Sequence, residues 1–557
     1  MELRLTFLRR AVMMFVIWTI STFLLEAEAK QGAREENADY WIVSGQKRLH
    51  SEIRRQQEAA RSRGKVAKNV ILFIGDGMGM STITAARIYK NQLAGRYGEQ
   101  NGLSFEEFPF VGLAKTYEVN YQVPDSAGTA TAMLSGVKVN ANITGLDARA
   151  KYEECDPSVN EQAKLENLIT WAQAAGKDTG FVTTTRVTHA SPAAVYARTN
   201  NRYWECDSKL PERCKNFVKD VARQLVEDEP GRNLKVVLGG GMNQLGVPVT
   251  QGDYIFCTRD DKQNLVEKWK QGKKNCLFVN TTQDLMNADL SKVTYLMGLF
   301  SPGNMPYALE RDISPAGQPS LVNMTVQALK LLSQNPKGYI LLVEGGNIDN
   351  AHHDGYLRHA LHETSEMDDA VAHADQVTNP DDTLIIVTAD HSHTLTIAGY
   401  PERGADILGL CSSTNMPQLH GHDILTYANG PGFARHNNSN CSQSYWREVS
   451  DEERQDLRYR PFAGRYADKA THAGEDVPVY SRGPHANLLS GVFEQNYIAH
   501  VICYSACIGP HATYCDHNTH TKFHDLITNS AETFSSTGFY FFVVVLPVLL
   551  EITLRVI

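Results

Sequence analysis

The sequence predicts an α/β fold in which a large, mostly parallel β-sheet lies between layers of helices. Three apolar runs, at residues 70–74, 339–343 and 384–388, are continuous rather than alternating with polar residues. Such runs are typical of strands that are buried on both faces of a parallel sheet. Amphipathic segments with helical periodicity separate further apolar runs, and this alternation is typical of layered α/β domains.

The other elements follow from the same two patterns. An exposed helix is expected at 37–60. Helical periodicity indicates helices at 167–175, 218–226, 320–333 and 362–377, and short apolar runs indicate strands at 179–184 and 234–238. Residues 399–470 are rich in Gly, Asn, Ser and Arg, so we interpret them as an insertion on the sheet. Regular structure is expected to resume near Val477.

Composition describes a globular chain. Its 557 residues are 42% hydrophobic and 21% charged, which are ordinary values for a folded protein. The formal net charge of −9 argues against nucleic-acid binding. A small anionic substrate would therefore have to be captured by local positive charge.

Both ends of the chain resemble processing signals. Arg4, Arg9 and Arg10 precede an apolar stretch at 11–25, and small residues at Ala27 and Ala29 follow. This pattern predicts a signal peptide at 1–29; the alternative, a membrane anchor, fits the short stretch less well. At the other end, small residues near 529, a polar spacer and an apolar tail at 539–550 predict a GPI-anchor signal at 529–557, attached through Asn529 (or Ser530). We therefore expect a protein on the extracellular face of the cell membrane.

Ten cysteines in an exported chain indicate disulfides. Cys507 and Cys515 are close enough to close a local loop, and Cys155 with Cys214 would close a longer one. The pairing of the other six stays open: Cys206, Cys257, Cys276, Cys411, Cys441 and Cys503. Acceptor sequons for N-glycosylation occur at Asn142, Asn280, Asn323, Asn437 and Asn440.

Metal-binding side chains follow the three apolar runs. Because ligands bind beyond the carboxyl ends of strands in open α/β sheets, we expect these side chains to converge at one edge. Asp349 and His353 are four residues apart and would share one face of a helix; with His472 they would suit Zn²⁺. Asp390 and His391 complete this set of strand-end residues.

Asp76 is expected to serve two further sites. With Asp390 and His391 it would form a second site of nitrogen and oxygen ligands. With Glu344 and a hydroxyl, for which Ser191 is the candidate, it would form the oxygen-only kind of site that Mg²⁺ prefers. One carboxylate can bridge two metals through its two oxygens.

A candidate nucleophile and a candidate anion clamp lie elsewhere. Ser126 stands at the start of a helix pattern, where it would be either a plain helix cap or a hydroxyl that meets an anion at the helix N-terminus. Arg202 lies eleven residues past Ser191. Its planar guanidinium suits two phosphate oxygens.

In these residues the chain closely resembles animal alkaline phosphatases, from about Tyr40 to the C-terminal signal. Six segments carry the resemblance, in the order that the family has them: 75–79, 124–130, 188–192, 343–349, 389–393 and 471–476. The resemblance implies an alkaline phosphatase-like fold, two Zn²⁺, one Mg²⁺ and hydrolysis of phosphate monoesters through a phosphoserine. It implies that Asp349, His353 and His472 hold one zinc, and that Asp76, Asp390 and His391 hold the other. Magnesium would be held by Asp76, Ser191 and Glu344, with Ser126 as nucleophile and Arg202 as phosphate clamp.

The resemblance also implies a domain plan and a partner. The catalytic domain would span 30–398 and 471–528, with 399–470 as a crown-like insertion. A homodimer would place Tyr400 near the active site of the other subunit.

This chain departs from the family at several positions. Asn350 replaces the Lys or His that other members carry after the zinc-binding Asp. Ser301 and Gln318 stand where mammalian members have calcium-binding carboxylates, so a Ca²⁺ site is expected to be absent or weak.

Three rival functions fit the sequence less well. A sulfatase needs a cysteine-derived nucleophile that the segment around Ser126 lacks. A phosphodiesterase has less use for Arg202 and a third metal. An idle surface receptor would not need Ser126 and Arg202 at all.

Overall fold

The computed structural model describes residues 38–62, 64–249, 257–411, 421–433 and 449–515. Several predicted features lie outside these ranges: the signal peptide, the GPI signal with Asn529 (or Ser530), the sequons Asn437 and Asn440, Cys441, and the side chain of Cys515. The chain divides into two compact units, residues 1–61 and 62–557. In the first, the described part forms helix α1 (Ala38–Ser62), close to the helix expected at 37–60. Within the described ranges, no helix combines the length and the hydropathy that a membrane span requires.

The described strands are these, in chain order: β1 (Asn69–Gly75), β2 (Phe110–Lys115), β3 (Asp178–Arg186), β4 (Val236–Gly240), β5 (Cys276–Val279), β6 (Tyr295–Leu299), β7 (Tyr339–Gly345), β8 (Thr383–Ala389), β9 (Ser392–His393), β10 (Leu395–Ile397), β11 (Leu425–Tyr427), β12 (His472–Ala473), β13 (Val477–Arg482) and β14 (Gly491–Glu494). Ten of them form one sheet in the order β14-β2-β13-β8-β1-β7-β3-β4-β6-β5. The short strands pair as β10 with β11 and β12 with β9.

The remaining described α-helices are α2 (Met80–Leu93), α3 (Ser126–Ser135), α4 (Pro157–Ala163), α5 (Leu168–Ala174), α6 (Ala190–Ala193), α7 (Val221–Glu227), α8 (Leu265–Lys270), α9 (Thr282–Met286), α10 (Leu321–Leu332), α11 (Asn347–Asp354), α12 (Leu357–Val377), α13 (Asp451–Gln455) and α14 (Tyr497–Ala506). One group, α2, α10 and α12, packs together and contacts the central strands. A second group, α3, α5 and α14, does the same. The predicted fold class, a large mostly parallel sheet flanked by helices, is confirmed.

The sheet is parallel except at one strand. β13 is antiparallel to β8 on one side and to β2 on the other, and β14 is parallel to β2. The central strands β1, β7 and β8 are buried on both faces apart from Asn69, as their continuous apolar sequences require. The orientation of β13 did not follow from its sequence, because the pattern that predicts a mostly parallel sheet does not fix the direction of each strand within it.

Helix α12 begins five residues before the predicted 362–377. Its first turns are helical because Leu357 and Leu361 pack into a buried cluster with α2 and with Ile407, Leu425 and Tyr427. The described part of 399–470 therefore shares a core with helices of the sheet domain. The boundaries of the predicted insertion stay a prediction.

Two disulfides are present in the described segments. Cys155 and Cys214 are bonded, as predicted, with their Cα atoms 5.7 Å apart. Cys206 and Cys257, whose partners the sequence left open, are bonded to each other. Cys507 is also disulfide-bonded. Its pairing with Cys515 stays a prediction, because the side chain of Cys515 lies outside the described residues.

Candidate metal centre

Strand register brings three predicted ligands to one edge of the sheet. β1 pairs in parallel with β7, so that Gly75 is level with Gly345, and with β8, so that Gly75 is also level with Ala389. Asp76 follows β1 directly, Glu344 lies near the end of β7, and Asp390 follows β8. All three carboxylates are fully buried. Their convergence is the direct result of three parallel strands that end at the same level.

The first group of ligands surrounds Asp349. Its Oδ1 lies 3.4 Å from His353 Nε2 and 3.3 Å from His472 Nε2, and the two histidine Nε2 atoms are 3.0 Å apart. A further histidine, His393, places its Nε2 2.6 Å from the same oxygen. The ligand atoms of these four residues all lie within 4.8 Å of one another. One carboxylate and a set of imidazoles are the ligands that Zn²⁺ prefers.

Local contacts fix the direction in which the two predicted histidines point. His353 Nδ1 lies 2.6 Å from the carbonyl oxygen of Ala470, and His472 Nδ1 lies 2.8 Å from that of Pro124. Each Nδ1 therefore carries the proton and donates it, so that the lone pair of Nε2 faces Asp349. His472 is held in β12, which pairs with β9 opposite His393.

The second group surrounds His391 and includes Ser126. His391 Nε2 lies 3.2 Å from Asp390 Oδ2, 3.5 Å from Asp76 Oδ1 and 3.2 Å from Ser126 Oγ. Ser126 Oγ is also 3.4 Å from Asp76 Oδ1. The backbone N–H groups of Gly77 and His391 donate to Asp390 Oδ1, at 2.9 and 2.8 Å, and leave Asp390 Oδ2 toward His391.

Negative charge accumulates at this group. Burial raises the pKa of Asp76 well above its ordinary value, and the nearby carboxylates Asp390, Asp349 and Glu344 raise it further. Burial likewise raises the pKa of Asp390 to about 6. Carboxylates that are buried together at this density call for a compensating positive charge, which a divalent cation supplies.

The third group consists of Asp76, Ser191 and Glu344. Thr183 and Thr185 donate their hydroxyls to Glu344 Oε2. The other oxygens, Asp76 Oδ2, Ser191 Oγ and Glu344 Oε1, are buried and make no hydrogen bond of normal geometry within the described structure. Burial raises the pKa of the Glu344 carboxyl, and Thr183 and Ser191 lie close enough to lower it in part. Buried polar atoms are nearly always paired, so three orphaned oxygens on the predicted Mg²⁺ ligands fit a hard cation. His189 also lies close enough to Asp76 and Glu344 to join this group.

Ser126 and the anion clamp are linked through Asp125. Asp125 caps helix α3 by accepting from the N–H groups of Ala127 and Gly128, at 3.0 and 3.3 Å, and it also accepts from the N–H of Asn142 at 2.6 Å. Arg202 Nη1 donates to Asp125 Oδ2 at 2.9 Å. Arg202 Nη2 lies 3.1 Å from His189 Nε2. The guanidinium is thus held beside the residue that precedes Ser126.

Electrostatics keep this pair ionised. Burial opposes ionisation of Asp125, but the charge of Arg202 and the hydrogen bonds from Glu118 and from the N–H groups of Asn142 and Ala127 together outweigh it and leave the pKa of Asp125 below its usual value. Burial lowers the pKa of His189 well below its ordinary value, and Arg202 lowers it further, so the imidazole is neutral. A neutral His189 can accept a hydrogen bond from Arg202.

The structure thus brings together every predicted metal ligand, Ser126 and Arg202. Sequence reasoning gave no role to four residues that complete the site: Asp125, Thr183, His189 and His393. His393 could have been found, because it follows His391 by two residues and such residues share one face of an extended segment. Asp125 contacts Arg202 and Thr183 contacts Glu344, partners that lie 77 and 161 residues away in the sequence, so no local sequence pattern marks them.

Other predicted positions lie around the site. Asn350 Nδ2 donates to Gly346 O and Asn347 Oδ1 within its own helix, at 3.3 and 3.2 Å. Ser301 Oγ donates to the carbonyl of Asn304 at 2.7 Å, and Gln318 Oε1 accepts from the N–H of Asp312 at 3.2 Å. The described sequon residues are Asn142 and Asn323, which are half-buried, and Asn280, which is exposed.

Comparisons with known proteins agree on one family. The alkaline phosphatase family model matches residues 67–508. Alkaline phosphatase 4 of Drosophila melanogaster is 44% identical over 505 residues, which cover 86% of this chain and 83% of the relative. The human tissue-nonspecific isozyme is 40% identical over 519 residues, 90% of this chain and 94% of the relative. A Bombyx mori relative, named membrane-bound alkaline phosphatase, is 39% identical over 498 residues, 87% of this chain and 88% of the relative.

Solved structures show the same fold. Alkaline phosphatase from the Antarctic bacterium TAB5 has a TM-score of 0.55 at 22% identity, and covers 80% of this chain and 99% of its own. The Thermus thermophilus enzyme has a TM-score of 0.56 at 22% identity, over 79% of this chain and 92% of its own. A TAB5 variant is described with Mg bound in a site called M3.

Proposed function

The chain belongs to the alkaline phosphatase family and is a hydrolase of phosphate monoesters, and we propose that it acts through a phosphoserine at Ser126 beside three metal sites. The observation that carries this proposal is the position of Ser126 Oγ, 3.2 Å from His391 Nε2 and 3.4 Å from Asp76 Oδ1, at the N-terminus of α3. A hydroxyl there meets both the proposed metal ligands and the positive end of a helix.

The donor groups fit two Zn²⁺ and one Mg²⁺. Asp349, His353 and His472 would hold one zinc, with His393 orienting Asp349, and Asp76, Asp390 and His391 would hold the other. Asp76, Ser191 and Glu344, whose free oxygens are buried and unpaired in the described structure, would hold magnesium. When bound, these ions supply the positive charge that stabilises the attacking and leaving oxygens of an in-line displacement.

Four side chains of this protein take part in the reaction: Ser126 as nucleophile, Arg202 as clamp, and Asp125 and His189 as the residues that hold Arg202. Ser126 Oγ loses its proton to solvent and forms a bond to phosphorus as the bond to the ester oxygen breaks, and the departing oxygen takes up a proton from solvent and leaves as the alcohol. A water molecule then loses a proton to solvent and attacks the phosphoserine, the Ser126–phosphorus bond breaks, Ser126 Oγ regains a proton, and inorganic phosphate is released. Arg202 neutralises charge on the nonbridging oxygens, because Asp125 and His189 hold its guanidinium in one orientation.

The test uses Ser126→Ala with Ser135→Ala as its matched control. Ser135 lies in the same helix and donates its hydroxyl to Thr131 O, so its loss leaves the site intact. With zinc and magnesium supplied, Ser126→Ala is expected to lower kcat/KM for a phosphate monoester by at least about 10³-fold. Acid quenching during turnover should give a peptide phosphorylated at Ser126. Full activity in Ser126→Ala would overturn the mechanism.

The cellular setting is part of the same proposal. We place the enzyme on the extracellular face of the cell membrane, held by a GPI anchor at Asn529 (or Ser530) after removal of residues 1–29. The two disulfides support an oxidising compartment, and the name of the Bombyx mori relative supports a membrane location. Release of activity from intact cells by a phosphatidylinositol-specific phospholipase tests it. Activity that stays with the cells after that treatment would contradict it.

We also propose a homodimer in which Tyr400 lies near the active site of the other subunit. The exposure of Tyr400 supports this proposal, since 64% of the residue is accessible and its ring is available for a contact with a second subunit. Sedimentation of the purified protein gives the subunit number. Loss of activity in Tyr400→Ala without loss of metal would support the position of the ring.

A further inference from the structure

A cavity of about 430 Å³ opens at the sheet edge opposite the metal centre. Its wall includes Asn233, just before β4, and Tyr295, the first residue of β6, so it lies at the amino ends of these strands. The metal ligands lie at the carboxyl ends of their strands. At about 30 Å³ per water the cavity has room for roughly 14 water molecules. This volume lies within the range of small-molecule sites.

The wall of this cavity is basic. Its charged members are Arg232, Lys268, Lys273 and Lys274, and no carboxylate is among the described residues that line it. Two of these cations already have acidic partners, since Lys268 Nζ contacts Glu227 at 2.6 Å and Arg232 contacts Glu229. Lys273 and Lys274 make no ion pair within the described structure. On a chain of net charge −9, this is a local excess of positive charge.

Aromatic rings contact two lysines, Lys273 in the cavity wall and Lys235 beside it, and Lys273 Nζ also donates to the carbonyl oxygen of Arg232. Lys273 Nζ lies 4.6 Å from the centre of the Tyr295 ring and 5.7 Å from that of Trp269. Lys235 Nζ lies 3.9 Å from the centre of the same Tyr295 ring. Contacts of this kind fix an ammonium without neutralising it. Burial lowers the pKa of Lys273, and the charge of Lys235 lowers it further, so an anion in the cavity would relieve an existing repulsion.

We propose that this cavity, defined by Trp269, Lys273, Lys274 and Tyr295, binds the sulfate groups of a sulfated oligosaccharide. Lysine ammonium groups are strong donors to oxyanions. The open volume exceeds that of one sulfate, which favours a ligand with several anionic groups on a compact polar scaffold. The disulfides support the exported location proposed above, on which this choice rests, and that location favours a sulfated glycan over nucleic acid as the polyanion that the chain meets.

The test measures binding of a heparin hexasaccharide to the metal-loaded protein by calorimetry, with inorganic phosphate present to occupy the catalytic site. A double variant, Lys273→Ala with Lys274→Ala, removes two charges from the cavity. The matched control, Lys292→Ala with Lys330→Ala, removes two charges from lysines outside it. Each charge-assisted contact that is lost should weaken binding about tenfold. The cavity variant is therefore expected to bind at least tenfold more weakly, with the control near the parent protein.

Three results would overturn the proposal. They are an absence of binding by the parent protein, equal weakening in both double variants, and equal or tighter binding of a single-stranded oligonucleotide of the same charge. Lys274→Glu alone is a second variant, because Lys274 is exposed and its replacement leaves the packed residues in place. It should also weaken hexasaccharide binding without changing phosphatase activity.

Discussion

Replacing Arg202 with alanine is expected to weaken the binding of phosphate and to lower kcat/KM for a phosphate monoester. The guanidinium is only 10% exposed and uses two of its five N–H groups on Asp125 and His189, which leaves three for an oxyanion. Two charge-assisted hydrogen bonds of about 1.5–3 kcal/mol each sum to about 3–6 kcal/mol. At about 1.4 kcal/mol per factor of ten, the loss in kcat/KM is about 10²- to 10⁴-fold.

The assay separates phosphate binding from folding. Steady-state kinetics give kcat/KM, competition gives the inhibition constant of inorganic phosphate, and thermal melting reports folding. Asp125 keeps its three backbone donors in Arg202→Ala, so α3 should stay capped. Arg202→Lys keeps the charge but loses the planar fork, and should fall between the parent and Arg202→Ala.

The control is Arg198→Ala. Arg198 lies close in sequence, but its guanidinium donates to the carbonyl oxygens of Leu165 and Glu229. Its loss should leave phosphate inhibition unchanged. The reasoning is refuted if folded Arg202→Ala is inhibited by phosphate within about threefold of the parent, since that corresponds to well under 1 kcal/mol.

Three further predictions concern the metals and the buried charges. Removal of metal by a chelator should lower the melting temperature, because Asp76 and Glu344 then repel each other in a buried site. An ion present at a free concentration of about a thousand times its Kd adds about 4 kcal/mol to the free energy of unfolding. His393→Ala should weaken zinc binding by about 10- to 100-fold in equilibrium dialysis, because it removes the hydrogen bond that orients Asp349. His373→Ala, at a half-buried histidine, is the control and should leave zinc binding unchanged. Glu363→Gln should gain stability over the parent in urea unfolding as pH rises. Burial raises the pKa of Glu363 to about 8 in the folded parent, whereas a glutamate in an unfolded chain ionises at about pH 4.3. Between these two values the folded parent binds more protons than the unfolded chain, so its free energy of unfolding falls as pH rises.

Each of these has a contrary outcome. An unchanged melting temperature after complete removal of metal would refute the proposed ligand sets. Equal zinc affinity in His393→Ala and His373→Ala would show that the hydrogen bond to Asp349 is dispensable. For Glu363→Gln, the glutamine keeps the oxygen that accepts from the N–H of Ala308 at 2.7 Å. A stability difference that does not change between pH 5 and pH 9 would therefore contradict the raised pKa.

Much of the site could be predicted because most of its ligands lie at the end of a buried strand or on the helix that follows one. Asp76, Glu344 and Asp390 are marked by the buried strands before them, and Asp349 with His353 by a spacing of four on a helix. These signals are local, so one sequence contains them. His472 and Arg202 have no such signal; their residue types made them candidates, and the resemblance to a family strengthened both assignments.

The sequence by itself determined the parallel strands, the carboxylates at their ends and the helix that begins at Ser126. Periodicity and strand-end position are properties of a few consecutive residues, and they are the same before and after folding. Only the tertiary structure decided that β13 runs antiparallel, that Cys206 pairs with Cys257, and that Arg202 is held by Asp125 and His189. Those outcomes depend on contacts between residues that lie far apart in the sequence, such as Cys206 with Cys257 and strand β13 with strand β2. Such contacts exist only once the whole sheet has assembled.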